Sequence, residues 1–158
     1  KIQNLVMDSA PIMPMGSIPA KVMTSNYLSI IRKSRKRDPK TLKNFKKYFL
    51  PERHLDAFLK IADNISESSI RNMIKSVCGC ELCKGIPHGE TRIMYIHGTK
   101  GTELFQMRCG AHLKKNYPEA KVICFRKSGH CEAAIFRPLK WLEVVEKFLQ
   151  EENDDKRE

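Results

Sequence analysis

IMYIHG, residues 93–98, is the stretch that decides the fold of this chain. Helical sequence follows it, then a second short apolar run, KVICF, at residues 121–125. A loop with Ser128, Gly129 and His130 comes next, and Pro138 begins a final amphipathic helix. Strands that alternate with helices predict a parallel sheet. Loops at the carboxyl ends of parallel strands are where active sites form, so chemistry is expected near residues 128–130.

The first half of the chain predicts one strand and then a layer of helices. Residues 2–7 (IQNLVM) are typical of a short buried strand, which Asp8 and the Ser-Ala-Pro run behind it bring to an end. From there to about residue 77, apolar residues recur at helical spacing in four narrow stripes. Asp38 before Pro39, and Ser66, are typical N-cap residues. Four short helices with narrow stripes bury themselves poorly, so we expect them to lie on another layer.

After the helices, a linker rich in Cys and Gly occupies residues 78–90. The alternation of strands and helices then resumes. The pattern predicts strands at 91–97 and 121–125, a helix at about 102–116, and a last helix at 138–150. The fold class predicted from residues alone is therefore α/β.

The charge and hydropathy of the chain limit the classes of function that it can have. The chain has 158 residues and a net charge of +11, and residues 21–60 hold twelve basic side chains against three acidic ones. Such an excess indicates either a nucleic-acid-binding helical module or a solvated helical face. We favour the solvated face, because the basic residues fall between apolar stripes and aromatic residues are sparse among them. No signal peptide is recognisable, and no apolar run approaches the roughly 20 residues of a membrane span.

Six cysteines allow a disulfide framework, but their placement favours reduced thiols in a cytoplasmic protein. Cys78, Cys80 and Cys83, with His88 behind them, form a possible zinc set. Their Cys-x-Cys-x-x-Cys spacing departs from the paired Cys-x-x-Cys of most structural zinc sites, so we expect a thiol-rich linker and no bound metal or cofactor.

The last third of the chain resembles the C-terminal end of an α/β-hydrolase. There the histidine on the loop after the last strand is the general base, and the resemblance gives His130 that role. The likeness is good over residues 91–149 and fair over 1–16, and across the helices it is architectural only. It implies a core strand and loop at 1–16, a helical lid at 17–85, the C-terminal βαβα of the core at 86–150, and a disordered tail at 151–158.

The resemblance also implies an acid that orients His130, and two residues are candidates. Glu103 is the nearest carboxylate in the loop after the strand at 91–97, although the family's common aspartate position holds Gly101 here. Glu103 is equally explained as a favourable acid in the first turn of the next helix. Asp8, at the end of the first strand, is the rival, since some dehalogenases of the superfamily keep their acid there. Asp8 is also explained as a loop-capping residue.

No Gly-x-Ser-x-Gly elbow occurs in the sequence, so we expect the nucleophile to lie in an N-terminal half on a separate or cleaved chain. The start inside strand-like sequence, without Met, is consistent with a fragment. The predicted reaction is acyl transfer on an ester or related substrate. Met13, Met15 and Met23 are candidates for lining a small apolar acyl pocket, and ordinary packing explains them equally well. The other four histidines are expected to be structural: His54, His88, His97 and His112.

Overall fold

The computed structural model describes residues 2–48, 50–82 and 91–154. Short 3₁₀ turns at Glu52–His54 and Gly101–Glu103 precede two of the helices. In chain order the elements are β1 (Asn4–Asp8), α1 (Ser17–Arg35), α2 (Pro39–Tyr48), α3 (Leu55–Asn64), α4 (Glu67–Cys78), β2 (Arg92–Gly98), α5 (Leu104–Asn116), β3 (Lys121–Phe125), α6 (Glu132–Phe136) and α7 (Pro138–Asp154).

The three strands form one parallel sheet in the order β1-β2-β3, which confirms the predicted α/β class. The register pairs Asp8 with Ile96, and Gly98 with Phe125. The central strand β2 is buried on both faces, which explains its nearly continuous apolar sequence. Because all three strands run the same way, their carboxyl ends meet at one edge of the sheet.

Alternate residues of β2 face two different helices. Met94 and Ile96 belong to a core cluster with Phe148 of α7. The α7 residues at helical spacing, from Trp141 to Phe148, complete that cluster. On α5, an added Cβ at Gly110 would lie 3.2 Å from Val122 and 3.5 Å from Tyr95, so glycine lets this helix approach the sheet closely. The strand is therefore covered by a helix on each face.

The chain divides into two compact units, residues 1–12 with 82–158 and residues 13–81. The second unit is all helical, and two of its N-caps were predicted correctly. The Asp38 carboxylate accepts a hydrogen bond from the Thr41 N–H at 2.8 Å, and the Ser66 hydroxyl accepts one from the Ser69 N–H at 2.9 Å. Its core is a cluster of apolar residues from three of the four helices: Leu28, Ile31, Ala62, Ile70, Ile74 and Cys78.

Several details differ from the sequence prediction. The structural boundaries of the helical unit lie four residues before each predicted lid boundary. The short helix α6 was not predicted, and α7 continues to Asp154, so the first four residues of the predicted tail are helical. Cys83 and His88 lie outside the described residues, and within those residues no three metal-ligating side chains cluster. None of the helices, over the part of the chain that is described, has the length and apolar character needed to cross a membrane.

Candidate active site

The loops that follow β2 and β3 are bound to each other through one carbonyl group. The Ser128 oxygen accepts hydrogen bonds from the backbone N–H groups of Thr99 and Lys100, both at 3.0 Å. The approach is so close that a Cβ added at Gly98 would lie 2.1 Å from the same oxygen. Only glycine fits there, because no van der Waals contact allows that distance. The end of β2 and the loop before His130 therefore have a fixed separation.

Side chains add further connections between the same two loops. The Lys127 N–H donates to the Thr99 hydroxyl at 2.8 Å. The Lys100 ammonium pairs with Glu132 at 2.6 Å, and Glu132 also accepts from the Gly129 N–H at 2.6 Å. The backbone just before His130 is thus held at two positions.

Glu103 lies at the end of the 3₁₀ turn after β2, and its side chain is fully buried. Its Oε2 atom accepts hydrogen bonds from the Ser9 hydroxyl at 3.0 Å and the Gly98 N–H at 3.2 Å. Its Oε1 atom lies 3.4 Å from Nδ1 of His130. Burial alone raises the pKa of Glu103, but the facing His130 imidazole and the hydrogen bonds from Gly98 and Ser9 together outweigh burial and lower it. The carboxylate is therefore held in its charged form.

His130 presents one ring nitrogen to Glu103 and is otherwise accessible, with 54% of its side chain exposed. Since Nδ1 faces the carboxylate, Nε2 is the nitrogen that remains to exchange a proton with another group. The side chain of Cys131 first, and then Glu103, raise the pKa of His130 above its ordinary value, while partial burial opposes them. These two residues form a carboxylate–imidazole pair at the ends of adjacent strands.

Asp8, the rival candidate for the acid, contacts other residues. Its Oδ2 atom accepts from the Trp141 indole N–H at 2.9 Å, and Oδ1 lies 3.1 Å from the Ser9 hydroxyl, which can donate its one proton either here or to Glu103. Burial raises the pKa of Asp8, and the two hydrogen bonds partly offset that rise. Asp8 therefore influences His130 through its charge, whereas Glu103 faces the imidazole directly.

Two neighbours of the pair were not singled out from the sequence. Ser9 is almost fully buried and contacts both carboxylates, and Cys131, the residue before α6, has a positive φ of 52°. The Cys131 N–H points at the Ser9 hydroxyl, 3.4 Å away. The available signal was Ser9 directly following Asp8 at a strand end, although such a position is equally typical of a residue that only ends a strand.

The three predicted substrate-lining methionines belong to the helical unit. Met15 and Met23 place their Sδ atoms 3.7 and 3.8 Å from Sγ of Cys78 and pack against the helical core, and Met13 is half-buried. His97 is buried on β2, and its Nδ1 lies 2.7 Å from the carbonyl of Gly98. The lining role of the methionines stays a prediction.

Exposed acids pair with several of the basic side chains in the helical unit. Arg32 makes two hydrogen bonds to Glu67, and Arg37 makes two to Asp63. Lys46 also contacts Glu52. These pairs reduce the positive charge locally along α1 and α2.

No protein-family model matches the sequence, and no curated protein matches it either. Two solved structures do. A protein assigned to the α/β-hydrolase family, from Desulfitobacterium hafniense, matches with a TM-score of 0.63 at 17% identity, over 94% of this chain and 60% of that one. An esterase from Exiguobacterium antarcticum matches with a TM-score of 0.61 at 17% identity, over 94% of this chain and 57% of that one. The chain thus has the fold of part of an α/β-hydrolase and spans about 60% of these structures' length.

Proposed function

We propose that this chain is the C-terminal portion of an α/β-hydrolase that acts on an ester or a related acyl substrate, with His130 as the general base and Glu103 as the acid that orients it. The observation that carries the proposal is the pair itself. A fully buried carboxylate faces a half-exposed imidazole at 3.4 Å, and the two residues follow adjacent parallel strands. The fold shared with an esterase supports the same reaction class.

In the proposed acyl transfer, each member of the pair would carry out a step. A hydroxyl nucleophile would give its proton to Nε2 of His130 as the hydroxyl oxygen attacks the acyl carbon. The charged Glu103 then stabilises the imidazolium through Nδ1. His130 returns the proton to the leaving alcohol, and an acyl-enzyme remains. Water activated by the same imidazole hydrolyses it and releases the acid.

The nucleophile is proposed to come from an N-terminal half on a separate or cleaved chain. The 158 residues contain no Gly-x-Ser-x-Gly elbow, and by resemblance the N-terminal half supplies that elbow and the oxyanion hole. This chain alone should therefore be inert. A nucleophilic Asp or Cys in the other half would use the same base in a different reaction.

The substrate is proposed to be small and apolar in its acyl part, with Met13, Met15 and Met23 lining the pocket. A cytoplasmic location is proposed as well, because all five cysteines within the described residues are free thiols. Nucleic acid has no part in the proposed function, since the basic residues of 21–60 fall between apolar stripes and aromatic residues are sparse among them.

The first experiment is the intact mass of the purified protein under native and denaturing conditions. The proposal expects a second polypeptide that carries the nucleophile, and hydrolysis of p-nitrophenyl esters by the complex. His130→Ala should then lower kcat by about 10²–10⁴-fold. His112→Ala, which removes an exposed histidine of α5, is the matched control and should change little.

Two outcomes would overturn the proposal. One is full esterase activity in the His130→Ala complex, and the other is esterase activity in the 158-residue chain alone. The acid is identified by comparing Glu103→Gln with Asp8→Asn. Glu103→Gln should cost more in kcat, because only Glu103 faces the imidazole.

The pH dependence is a second test of the base. An imidazolium cannot accept a proton, so kcat/KM of the complete enzyme should rise with pH as His130 loses its proton. Cys131 and Glu103 raise the pKa of His130, so this rise should be centred above 6.5, the ordinary histidine value. In Glu103→Gln the midpoint should move to lower pH.

A further inference from the structure

Ser9 has an unusual backbone for its residue type. It follows β1 directly, its side chain is only 1% exposed, and its φ is +51°. Residues other than glycine seldom adopt the left-handed region unless the surrounding structure holds them there. The Ser9 N–H donates to the carbonyl of Ile96 at 2.8 Å, which keeps β1 paired with β2 up to this residue.

The hydroxyl of Ser9 lies among groups from all three strand ends. It can donate its single proton to Oδ1 of Asp8 at 3.1 Å or to Oε2 of Glu103 at 3.0 Å. Its oxygen faces the N–H of Cys131, the residue next to His130. One buried hydroxyl therefore touches both candidate acids and the loop of the base.

We propose that Ser9 is a positioning residue that orients the Glu103 carboxylate toward His130. This inference rests on the proposed function. The Oε2 atom of Glu103 is occupied by Ser9 and by the Gly98 N–H, whereas Oε1 has no hydrogen-bond partner of ordinary geometry within the described residues and faces Nδ1 of His130. With one oxygen fixed, the other is presented to the imidazole. Without the hydroxyl, Oε2 would keep a single N–H contact at 3.2 Å and would be held less firmly.

The same hydroxyl explains how two nearby carboxylates differ in their contacts. Asp8 keeps the Trp141 indole N–H when Ser9 donates to Glu103, so neither carboxylate is left without a donor. When Ser9 donates its proton to Glu103, the hydroxyl group lies between the carboxylates of Glu103 and Asp8, which would otherwise repel each other. Ser9 therefore fixes the orientation of one acid while the other remains satisfied.

The test compares Ser9→Ala and Ser9→Gly in the full 158-residue chain. Both remove the hydroxyl, but glycine accepts a positive φ without steric cost, so Ser9→Gly separates the loss of the hydroxyl from backbone strain. Ser34→Ala is the matched control, because Ser34 is a buried serine of the helical unit whose hydroxyl has no partner within the described residues. The readout is the NMR titration of the His130 imidazole, with Glu103→Gln as the reference variant.

Both Ser9 variants should lower the pKa of His130 in the same direction as Glu103→Gln and by a smaller amount, and Ser34→Ala should leave it unchanged. In the complete enzyme, Ser9→Gly should lower kcat by about 10-fold with little change in KM, since the base is misaligned and substrate contacts remain.

Three results separate the possible failures. If Glu103→Gln shifts the His130 titration and neither Ser9 variant does, the positioning role is wrong and the proposed function stands. If Glu103→Gln itself leaves the titration unchanged, the proposed catalytic pair is wrong. If both Ser9 variants lose the folded spectrum, Ser9 serves stability and the positioning proposal is overturned.

Discussion

The helical unit and the edge of the sheet near His130 are built by different interactions. In the helical unit, apolar side chains such as Ile70 and Ile74 fill a core, and charged groups pair on the exposed surface. At the sheet edge, a carboxylate is fully buried and polar groups bind the two loops to each other. The first arrangement stabilises the helical unit by burying apolar area. The second fixes the separation of a carboxylate and an imidazole, as the proposed catalytic pair requires.

This difference implies that substitutions in the two regions should have different consequences. Loss of volume should dominate in the helical unit, because its core is stabilised by burial. Loss of geometry should dominate at the sheet edge, where each polar group has a specific partner. The variants below test this contrast.

The largest effect on stability is expected from Ile74→Ala in α4. Ile74 is almost fully buried in the helical core, so its truncation should lower the free energy of unfolding by about 2–5 kcal/mol through lost burial and a residual cavity. The measurement is urea denaturation followed by circular dichroism. Met73→Ala, at a position that is 42% exposed in the same helix, is the matched control and should change stability far less. Equal effects would contradict a core on the Ile74 side of α4.

Gly98→Ala should have the largest effect at the sheet edge. The added Cβ would meet the Ser128 carbonyl oxygen at 2.1 Å, and this atom cannot move without breaking its bonds to Thr99 and Lys100. We expect a loss of about 3 kcal/mol in the free energy of unfolding, together with a changed environment at His130. Urea denaturation and the NMR signals of His130 report the two consequences.

Gly101→Ala is the control for that substitution, since nothing lies within 4 Å of a Cβ added there. It should be nearly neutral. A Gly98→Ala protein as stable as the Gly101→Ala protein would show that the two loops tolerate separation, and the contrast between the regions would be lost.

The two regions also differ in how much of them the sequence predicted. The helices and their N-caps at Asp38 and Ser66 were predicted correctly, because capping joins residues only three apart. The three strands and their parallel order followed from the alternation with helices. The short helix α6 was missed, since the residue before it, Cys131, has a left-handed conformation that no side-chain pattern predicts.

The candidate site was predictable only in part. His130 stood out because a strand, a loop and Gly-His are contiguous in sequence. The choice between Glu103 and Asp8 stayed open, because it depends on contacts between distant residues. Ser9 and Glu103 are 94 residues apart, and no local pattern shows that a carboxylate in a first helical turn is fully buried. The close approach of Gly98 to Ser128 is likewise a property of the folded sheet.

The next prediction concerns the pH dependence of stability at the sheet edge. Glu103→Gln should lower the free energy of unfolding by about 1–3 kcal/mol near pH 6, because a buried charged acceptor is lost. The pKa of Glu103 is lowered in the folded chain. The stability that Glu103 contributes is therefore present above pH 4.5, its ordinary pKa, and is lost as the pH falls through the lowered pKa. The pKa of His130 is raised, by Cys131 and then by Glu103. The stability that His130 contributes is therefore present below pH 6.5, its ordinary pKa, and is lost as the pH rises through the raised pKa.

The stability difference between the wild type and Glu103→Gln should therefore be greatest between about pH 4.5 and 6.5 and shrink on both sides. Urea denaturation across the pH range measures it. Glu143→Gln, on the exposed face of α7, is the control and should show no such maximum. A difference that is flat with pH would mean that the carboxylate and the imidazole do not interact in the folded chain.

The smallest effects are expected from ion pairs, and one pair in each region allows a matched comparison. Lys100–Glu132 connects the two loops of the sheet edge, and its carboxylate is 24% exposed and also held by the Gly129 N–H. Arg32–Glu67 lies on the helical unit with side chains 57% and 39% exposed. Because the Glu132 carboxylate is already fixed, less side-chain entropy is lost when Lys100 binds it.

Double-mutant cycles should give a coupling energy of about 1 kcal/mol for the Lys100–Glu132 pair and about 0.3 kcal/mol for the Arg32–Glu67 pair. High salt should weaken the helical pair more, since it is better solvated. Equal coupling energies would mean that only the buried groups of the sheet edge have fixed positions, and that its surface charges are as mobile as those of the helical unit.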